Sequence, residues 1–439
     1  MRTRRTAVAL AAAGVAAAAT FFGGVLAGEP RAQPAPTPRP EAAAGQLLQG
    51  FSPRDTAAYV DELVARVEAN PEDAEGLTLL GLAYQQRARE TGDPAFYPRS
   101  EAALERALRL VPDNDLALTG LAALAASRHR FAASLELARR ARSLNPDAAV
   151  VHGIEGDALV ELGRYGEAFA AFDRMAALKP SLAAYARIAY ARELIGRPRA
   201  AIAAMTMAVD AGSANAENAA WTLVQLGKLY FDEGRPHRAA RHYRAALARF
   251  PGYHHALAAL ARAEAARGLY GAAVALYRRA LDTVPLPEYA AGLGETLAAA
   301  GRKREAREAY ALVDVMQKLL EANGVRTELE TAVFDLDRGR NLGAALARAR
   351  EAYAVRRSIA AEDTLAWALY RNGRCRAALT LSNRALRLGT RDALKLFHRG
   401  MIDRCLGRRA EARADLRLAL AINPYFSLRW APVARRLAG

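Results

Sequence analysis

An interval of 34 residues recurs along most of this chain and limits what it can fold into. Pro112, Pro146 and Pro180 follow one another at that interval, and Pro251 and Pro285 are separated by the same distance. Short glycine-containing turns recur between the prolines, namely Gly163-Arg164, Gly196-Arg197, Gly234-Arg235, Gly268-Leu269, Gly301-Arg302, Gly373-Arg374 and Gly407-Arg408. A period of this length accommodates two helices and two turns, which predicts a stack of helical hairpins.

Residues of the same kind occupy the same positions in successive periods. One unit supplies Gly156, Ala168, Phe172, Ala176 and Pro180. Three other units supply Leu226, Gly227, Tyr230, Ala239, Tyr243, Ala246 and Pro251; Ala261, Ala273, Tyr277, Ala280 and Pro285; and Gly400, Ala412, Ala419 and Pro424. Small residues let two helices approach, aromatic residues fill the gap to the next unit, and proline ends the second helix. The pattern resembles that of the tetratricopeptide repeat family, which implies an all-α solenoid of helix–turn–helix units.

Extending the register predicts about ten units, which begin near residues 74, 115, 149, 182, 220, 254, 287, 325, 359 and 393. The array is expected over 74–322 and again over 325–426. A leading helix over 52–72 precedes it, and a helix over 427–439 caps it, because a solenoid must cover its last apolar face. The predicted fold is therefore an α-superhelix with a C-terminal capping helix.

The N-terminus has the form of an export signal. Arg4 and Arg5 precede an uncharged run from Thr6 to Ala27, and a charged segment followed by an apolar one is typical of a signal peptide. The run also has the length of a membrane span, so residues 1–27 are either a cleaved signal or a transmembrane anchor. Because positive charge stays inside, both alternatives place the repeats outside the cytoplasm. The proline- and alanine-rich segment 28–51 is predicted to be an extended linker.

The formal net charge of the chain is +16. Such a balance is compatible with nucleic acid, an anionic membrane surface or acidic proteins as partners. Arginine supplies nearly all of the charge, and it is spread evenly along alanine-rich helices without a dense basic run. Solvent-facing arginine on the outside of a helical stack explains this distribution, so the charge alone does not predict nucleic-acid binding.

No motif of the sequence predicts catalysis. It contains no phosphate-binding glycine loop, no nucleophile elbow and no helical two-histidine metal motif. His237, His242, His254 and His255 are close together, but their spacings do not place a pair on one helical face. We therefore expect a protein that is not an enzyme and that needs neither a metal nor a cofactor.

The family resemblance implies that the first helix of each unit lines a concave groove. The corresponding positions include Asp157, Tyr190, Glu193, Trp221, Lys228, Phe231, Arg262, Glu295, Asp363, Trp367, Tyr370, Phe397 and Arg404. We take eight of them as candidates for binding a partner: Trp221, Lys228, Arg262, Asp363, Trp367, Tyr370, Phe397 and Arg404. Exposed tryptophan, tyrosine and arginine are common anchors of protein interfaces. The alternative is that the aromatic residues only seal contacts between repeats.

Two cysteines, Cys375 and Cys405, lie near the C-terminus. Two are too few for a disulfide framework or a zinc site. They form either one bridge between neighbouring repeats or two separate thiols.

The leading functional hypothesis is an exported or membrane-tethered scaffold that binds a protein or peptide in its groove. An accessory subunit of a cell-envelope enzyme or export complex would use the same features. A basic helical-repeat binder of nucleic acid is the third possibility, and the export signal argues against it.

Overall fold

The computed structural model of the protein describes residues 53–213 and 216–439, and all regular secondary structure in these residues is helical. The helices are α1 (Pro53–Ala69), α2 (Ala74–Thr91), α3 (Phe96–Leu110), α4 (Asp115–Ser127), α5 (Phe131–Leu144), α6 (Ala149–Glu161), α7 (Tyr165–Leu178), α8 (Leu182–Leu194), α9 (Pro198–Ala211), α10 (Ala216–Asp232), α11 (Pro236–Arg249), α12 (His254–Ala266), α13 (Tyr270–Thr283), α14 (Pro287–Ala299), α15 (Lys303–Ala322), α16 (Glu328–Arg338), α17 (Leu342–Val355), α18 (Ile359–Arg371), α19 (Cys375–Ala385), α20 (Ala393–Cys405), α21 (Arg409–Ile422) and α22 (Trp430–Ala438).

Helices α2 to α21 form ten consecutive pairs, flanked by α1 and by the capping helix α22. Within each pair the two helices are joined by a short turn and pack against each other. Each pair also packs against the next, and between the seventh and eighth pairs this contact is made by buried side chains that include Val313 and Phe334. Short connections of this kind make neighbouring helices antiparallel. The all-α solenoid expected from the 34-residue period is therefore confirmed.

A small residue on the first helix makes room for an aromatic residue on the second. A Cβ atom at Gly156 would collide with the ring of Phe172, and one at Gly227 would collide with the ring of Tyr243. Phe172 is fully buried and Tyr243 is 3% exposed. The glycine and the aromatic residue are thus one packing unit, which explains why they recur together.

The turn inside each pair depends on a residue with positive φ. In the third pair Gly163 has φ 75°, and this lets Arg164 N donate to the carbonyl of Leu159 at 2.8 Å as the helix ends. Glycine adopts this conformation without steric strain. His129 occupies the corresponding place in the second pair with φ 57°, and its Nδ1 lies 2.7 Å from the carbonyl of Arg326.

That contact is one of a series that joins successive turns of the superhelix. The hydroxyl of Tyr165 accepts a hydrogen bond from Ile359 N at 2.7 Å, and Nδ2 of Asn423 donates to the carbonyl of Phe231 at 3.0 Å. The partners are 194 and 192 residues apart. Because one unit is 34 residues long, a full turn takes between five and six units, and the second turn lies directly on the first.

The first helices lie on the inside of this coil. First helices of neighbouring pairs contact one another at most junctions of the array, as expected on the shorter, inner path. Helix α18 is buried continuously from Ala361 to Leu369, and α6 from Val151 to Glu161. The inner space is consequently divided into cavities lined by the first helices.

The predicted signal or anchor over 1–27 and the linker over 28–51 lie outside the described residues. Among the helices that are described, none combines the length and the apolar character needed to cross a bilayer.

Candidate binding site

Charged side chains of α8 and α10 meet inside the coil. Nζ of Lys228 donates hydrogen bonds to Oε1 of Glu193 at 2.7 Å and to Oδ2 of Asp232 at 2.9 Å. Burial lowers the pKa of Lys228, but the carboxylates of Asp232 and Glu193 outweigh this effect and hold that pKa well above its usual value. The ammonium group is therefore charged and held in a fixed position.

Lys228 lines a cavity of about 260 Å³ between the two turns of the coil. Its walls come from α8, α10 and α12 of the first turn and from the segment that enters α20 in the second. Charged groups of both signs face it, and they belong to Glu193, Lys228, Asp232, Glu233, Arg262, Arg391 and Asp392. The guanidinium of Arg262 lies 4.2 Å from the ring centre of Phe231, a distance at which a cation is attracted to the ring.

A smaller cavity of about 30 Å³ shares Lys228 and Glu193 with the first. Trp221 and Tyr190 line it, and Trp221 is partly buried between two apolar clusters of the stack. The structure thus places Trp221, Lys228 and Arg262, three of the candidates chosen from the sequence, around two adjoining cavities.

The other aromatic residues singled out in the sequence lie in the interior. Trp367 is 2% exposed and Phe397 is fully buried. The ring of Trp430, on α22, packs against both with centroid distances of 5.6 Å. Trp367 and Phe397 therefore seal the end of the stack instead of lining an open groove, because the last repeat has an apolar face that the capping helix covers.

Asp363 is buried beside them and is 7% exposed. Its Oδ2 is hydrogen-bonded to Nδ1 of His398 at 3.0 Å, and the His398 ring stacks on Trp367 at 4.2 Å. Tyr370 is partly buried and Arg404 is exposed. Of the five candidates in this part of the chain, Tyr370 and Arg404 reach solvent, whereas Asp363, Trp367 and Phe397 are buried.

Cys375 and Cys405 are joined by a disulfide, with their Cα atoms 6.3 Å apart. Cys375 begins α19 and Cys405 ends α20, so the bridge links the ninth pair to the tenth.

A third cavity, of about 340 Å³, lies between α14, α15, α16 and α18. Most of its wall is apolar, from Val313, Leu320, Val325, Leu329, Val333 and Phe334. Val333 is 37% exposed, which marks the side that is open to solvent. The charged and titratable groups that face it are His129, Glu288, Glu295, Glu330, Asp337, Arg338 and Arg356.

Both guanidinium groups of this cavity are already engaged. Arg338 lies 3.8 Å from the ring centre of Tyr310 and 3.9 Å from that of Phe334, with Nη2 3.8 Å from Oε1 of Glu295. Arg356 pairs with Glu330 at 3.1 Å and with a further carboxylate behind the wall. Among the described residues, Glu288 has no ion pair and no hydrogen bond to another side chain. Burial raises the pKa of Glu288 to about 8, and the carboxylate of Glu330 adds to the rise.

We expect Glu288→Gln to stabilise the protein at about pH 9 and to change little at about pH 5. Between the ordinary pKa of 4.5 and about 8, the folded chain keeps a proton that the unfolded chain releases. The free energy of unfolding of the wild type therefore falls as the pH rises through this interval. Glutamine does not titrate, so the variant does not lose stability in this way. Urea unfolding at both pH values should show a relative gain of about 2–4 kcal/mol. The same difference between the two proteins at both pH values would contradict a raised pKa.

The acidic residues that face this cavity are spaced regularly in the sequence. Glu288 and Glu295 are seven residues apart on α14, and Glu330 and Asp337 are seven apart on α16. Residues seven apart share a helical face, so both first helices present a carboxylate pair on one side. Only Glu295 was assigned to the groove. No cluster of three or more His, Cys, Asp or Glu side chains that could hold a metal occurs in the described part of the chain.

Comparison with known proteins identifies the repeat. A sequence model of the tetratricopeptide repeat family matches residues 224–286, which extend from α10 to the residue before α14. No curated protein sequence matches the chain.

Several solved structures are similar to this chain. YrrB, described as a TPR protein with an unusual peptide-binding site, is 20% identical, with a TM-score of 0.28 over 42% of this chain and 93% of its own. TTC0263 from Thermus thermophilus, described as a thermophilic TPR protein, is 20% identical, with a TM-score of 0.36 over 40% of this chain and 92% of its own. The APC/C hetero-tetramer Cut9–Hcn1 gives 14% identity and a TM-score of 0.33 over 88% of this chain and 94% of its own.

Proposed function

This chain is a tetratricopeptide-repeat protein, and from that premise we propose that it is a non-enzymatic scaffold that binds a protein or peptide partner inside its coil, outside the cytoplasm. The observation that carries the proposal is the pair of adjoining cavities around Lys228. They combine an aromatic wall, a fixed ammonium group, a guanidinium and several carboxylates. Such a set can hold apolar side chains, acidic and basic groups, and the amide groups of a peptide backbone.

Two properties of the wall suit it for binding. Its residues come from successive first helices, which in repeat proteins form a continuous surface across several units. Trp221, Tyr190 and Arg262 belong to the residue types that contribute most binding energy at protein interfaces. Lys228 is held in place by Glu193 and Asp232, so binding of a partner does not incur the entropic cost of ordering this side chain.

The proposed location outside the cytoplasm is supported by the N-terminal sequence and by the disulfide. Arg4 and Arg5 ahead of an uncharged run are typical of an export segment, and disulfides persist in oxidising compartments. N-terminal sequencing of the mature protein, together with membrane fractionation, tests the location. A chain that begins at Met1 and is recovered from the cytoplasmic fraction would overturn it. A chain that begins after Ala27 shows cleavage, whereas an intact chain in the membrane fraction shows an anchor.

Site-specific photo-cross-linking in cells tests binding inside the coil. A benzoylphenylalanine at Arg262, which is exposed and lines the cavity, should give an adduct with a partner protein. The same group at Met207, which is 49% exposed on the second helix α9, is the matched outer control and should give none. Lys228→Ala in the Arg262 probe should reduce the adduct at least about tenfold, as expected when an anchor contributing over 1 kcal/mol is removed. Equal adducts from both positions, or none from Arg262, would contradict the proposal.

The other two functions predict different results in the same experiment. An accessory subunit of a cell-envelope enzyme or export complex would give one abundant adduct that contains a subunit of that assembly. A nucleic-acid binder, with which the net charge of +16 is compatible, would bind RNA or DNA with an affinity that falls steeply with salt. Absence of binding to either nucleic acid at low ionic strength would exclude it.

A further inference from the structure

The cavity between α14, α15, α16 and α18 contains buried polar groups that lack partners within the described part of the protein. Gln317 lines it with only 6% of its surface exposed. Oε2 of Glu330 and both Nε and Nη2 of Arg338 are buried without hydrogen-bond partners. A buried polar atom left unpaired costs about 1–3 kcal/mol. Several such atoms around one cavity indicate a place where a ligand supplies the missing hydrogen bonds.

The charge of this cavity is opposite to the charge of the chain. Four carboxylates face it against two guanidinium groups, whereas the whole chain has a net charge of +16. Arg356 is shared between Glu330 and Glu161, and the latter does not face the cavity. Glu288 therefore lacks a compensating cation, and charge complementarity favours a positively charged ligand.

The walls also select for apolar groups. A volume of about 340 Å³ is at the lower end of the range for ligand pockets, so it accommodates a short stretch of side chains and not a folded element. Phe334 is 6% exposed and Val313 1% exposed, while Val333 reaches the opening. A ligand that fills this space must bury apolar surface and place one cation among the carboxylates.

We propose that this cavity binds a lysine or arginine side chain of a partner peptide whose adjacent residues are apolar. The cation would pair with Glu288, and the apolar neighbours would cover Val333 and Phe334. Gln317 would accept or donate a hydrogen bond to the peptide. The inference rests on the proposed function, since it names the class of partner that the scaffold takes.

Binding of a cation would be linked to a proton at Glu288. Because burial holds the pKa of Glu288 at about 8, the free protein is largely protonated there near neutrality, and pairing with a cation releases the proton. Affinity should therefore rise as the pH increases towards 9. The other charged or titratable groups that face the cavity are His129, Glu295, Glu330, Asp337, Arg338 and Arg356.

The experiment is a selection of random heptapeptides displayed on phage against the full chain, repeated with Glu288→Gln and with Glu308→Gln. Glu308 lies on α15 with a side chain that is 64% exposed, so its variant removes the same charge outside the cavity. Enriched peptides are then synthesised and titrated by calorimetry at about pH 7 and about pH 9. We expect the wild type and Glu308→Gln to enrich lysine or arginine next to leucine, isoleucine or phenylalanine. Glu288→Gln should bind these peptides at least tenfold more weakly at the higher pH and should lose the pH dependence.

Two outcomes would overturn the inference, and they differ in what they say about the scaffold. Enriched peptides that lack a basic residue, or that bind Glu288→Gln as tightly as the wild type, overturn the cation site while peptide binding by the scaffold stands. A selection that enriches no peptide overturns the inference, and the adducts at Arg262 then decide the proposed function separately. Thermal melts at about pH 7, in which neither variant should melt below the wild type, show that the loss of binding is not unfolding.

Discussion

Gly196→Ala is expected to separate successive turns of the coil and to lower the free energy of unfolding by about 3–5 kcal/mol. Gly196 lies between α8 and α9 with φ 68°, and a Cβ atom there would fall on the carbonyl oxygen of Gly389 in the next turn. Because the obstructing atom is backbone, no side-chain rotation relieves the collision. Urea unfolding should show the loss, and hydrogen exchange should accelerate in the segment that contains Gly389.

Gly301→Ala is the matched control. Gly301 is also followed by arginine in the turn of its pair and has φ 78°, but a Cβ atom there meets nothing within 4 Å. Its alanine variant should lose only about 1–2 kcal/mol from the left-handed conformation. Small-angle scattering should show a larger radius of gyration for Gly196→Ala alone. Equal losses and equal radii for the two variants would mean that the turns do not touch in solution.

The repeat could be predicted because its determinants are local. Gly156 and Phe172, or Gly227 and Tyr243, belong to the same helical pair, so the pairing is visible within one period. Nine of the ten turns inside the pairs contain a glycine with positive φ, and the sequence shows these glycines directly. The residues that determine the fold of each unit thus lie within that unit, and stacking of the units forms the solenoid.

Contacts between superhelical turns could not be predicted in the same way. Ile359 and Tyr165 are 194 residues apart, and they meet only because small rotations between units accumulate to a full turn. No motif encodes that rotation, since it depends on the packing of every intervening pair. The consequences for the site are large, because the closed coil replaces one continuous groove with separate cavities.

The candidate site also combines features that could be predicted from the repeat with features that could not. Trp221, Lys228 and Arg262 could be grouped from the sequence because equivalent positions of adjacent first helices face the same side. Trp367 occupies the same kind of position, but Trp430 covers it, and a terminal helix lies outside the repeat pattern. The position of a residue in the unit therefore predicts which side of the stack its side chain faces. Its exposure depends on neighbouring parts of the chain, such as the capping helix.

Arg356→Ala should destabilise the protein by about 3–5 kcal/mol, the range observed when one partner of a buried ion pair is removed. Nε of Arg356 lies 2.5 Å from Oε2 of Glu161, 195 residues earlier in the chain, and Nη1 lies 3.1 Å from Oε1 of Glu330. The Arg356 side chain is 9% exposed and that of Glu161 is 6% exposed. Loss of the guanidinium leaves a buried carboxylate without its counter-ion at the junction of the two turns.

A double-mutant cycle separates the ion pair from the packing of the arginine stem. Glu161→Gln in the Arg356→Ala background should restore part of the lost stability, because it removes the unpaired charge, and the coupling should be about 1–3 kcal/mol. Arg304→Ala is the exposed control: its guanidinium lies 4.0 Å from Glu308 with both side chains mostly in solvent, and it should change stability by less than about 1 kcal/mol. Urea unfolding of Arg356→Ala, Glu161→Gln, the double variant and Arg304→Ala measures all of these differences. If Arg356→Ala costs no more than Arg304→Ala, the ion pair with Glu161 does not form in solution, and the second turn is held on the first by its other contacts.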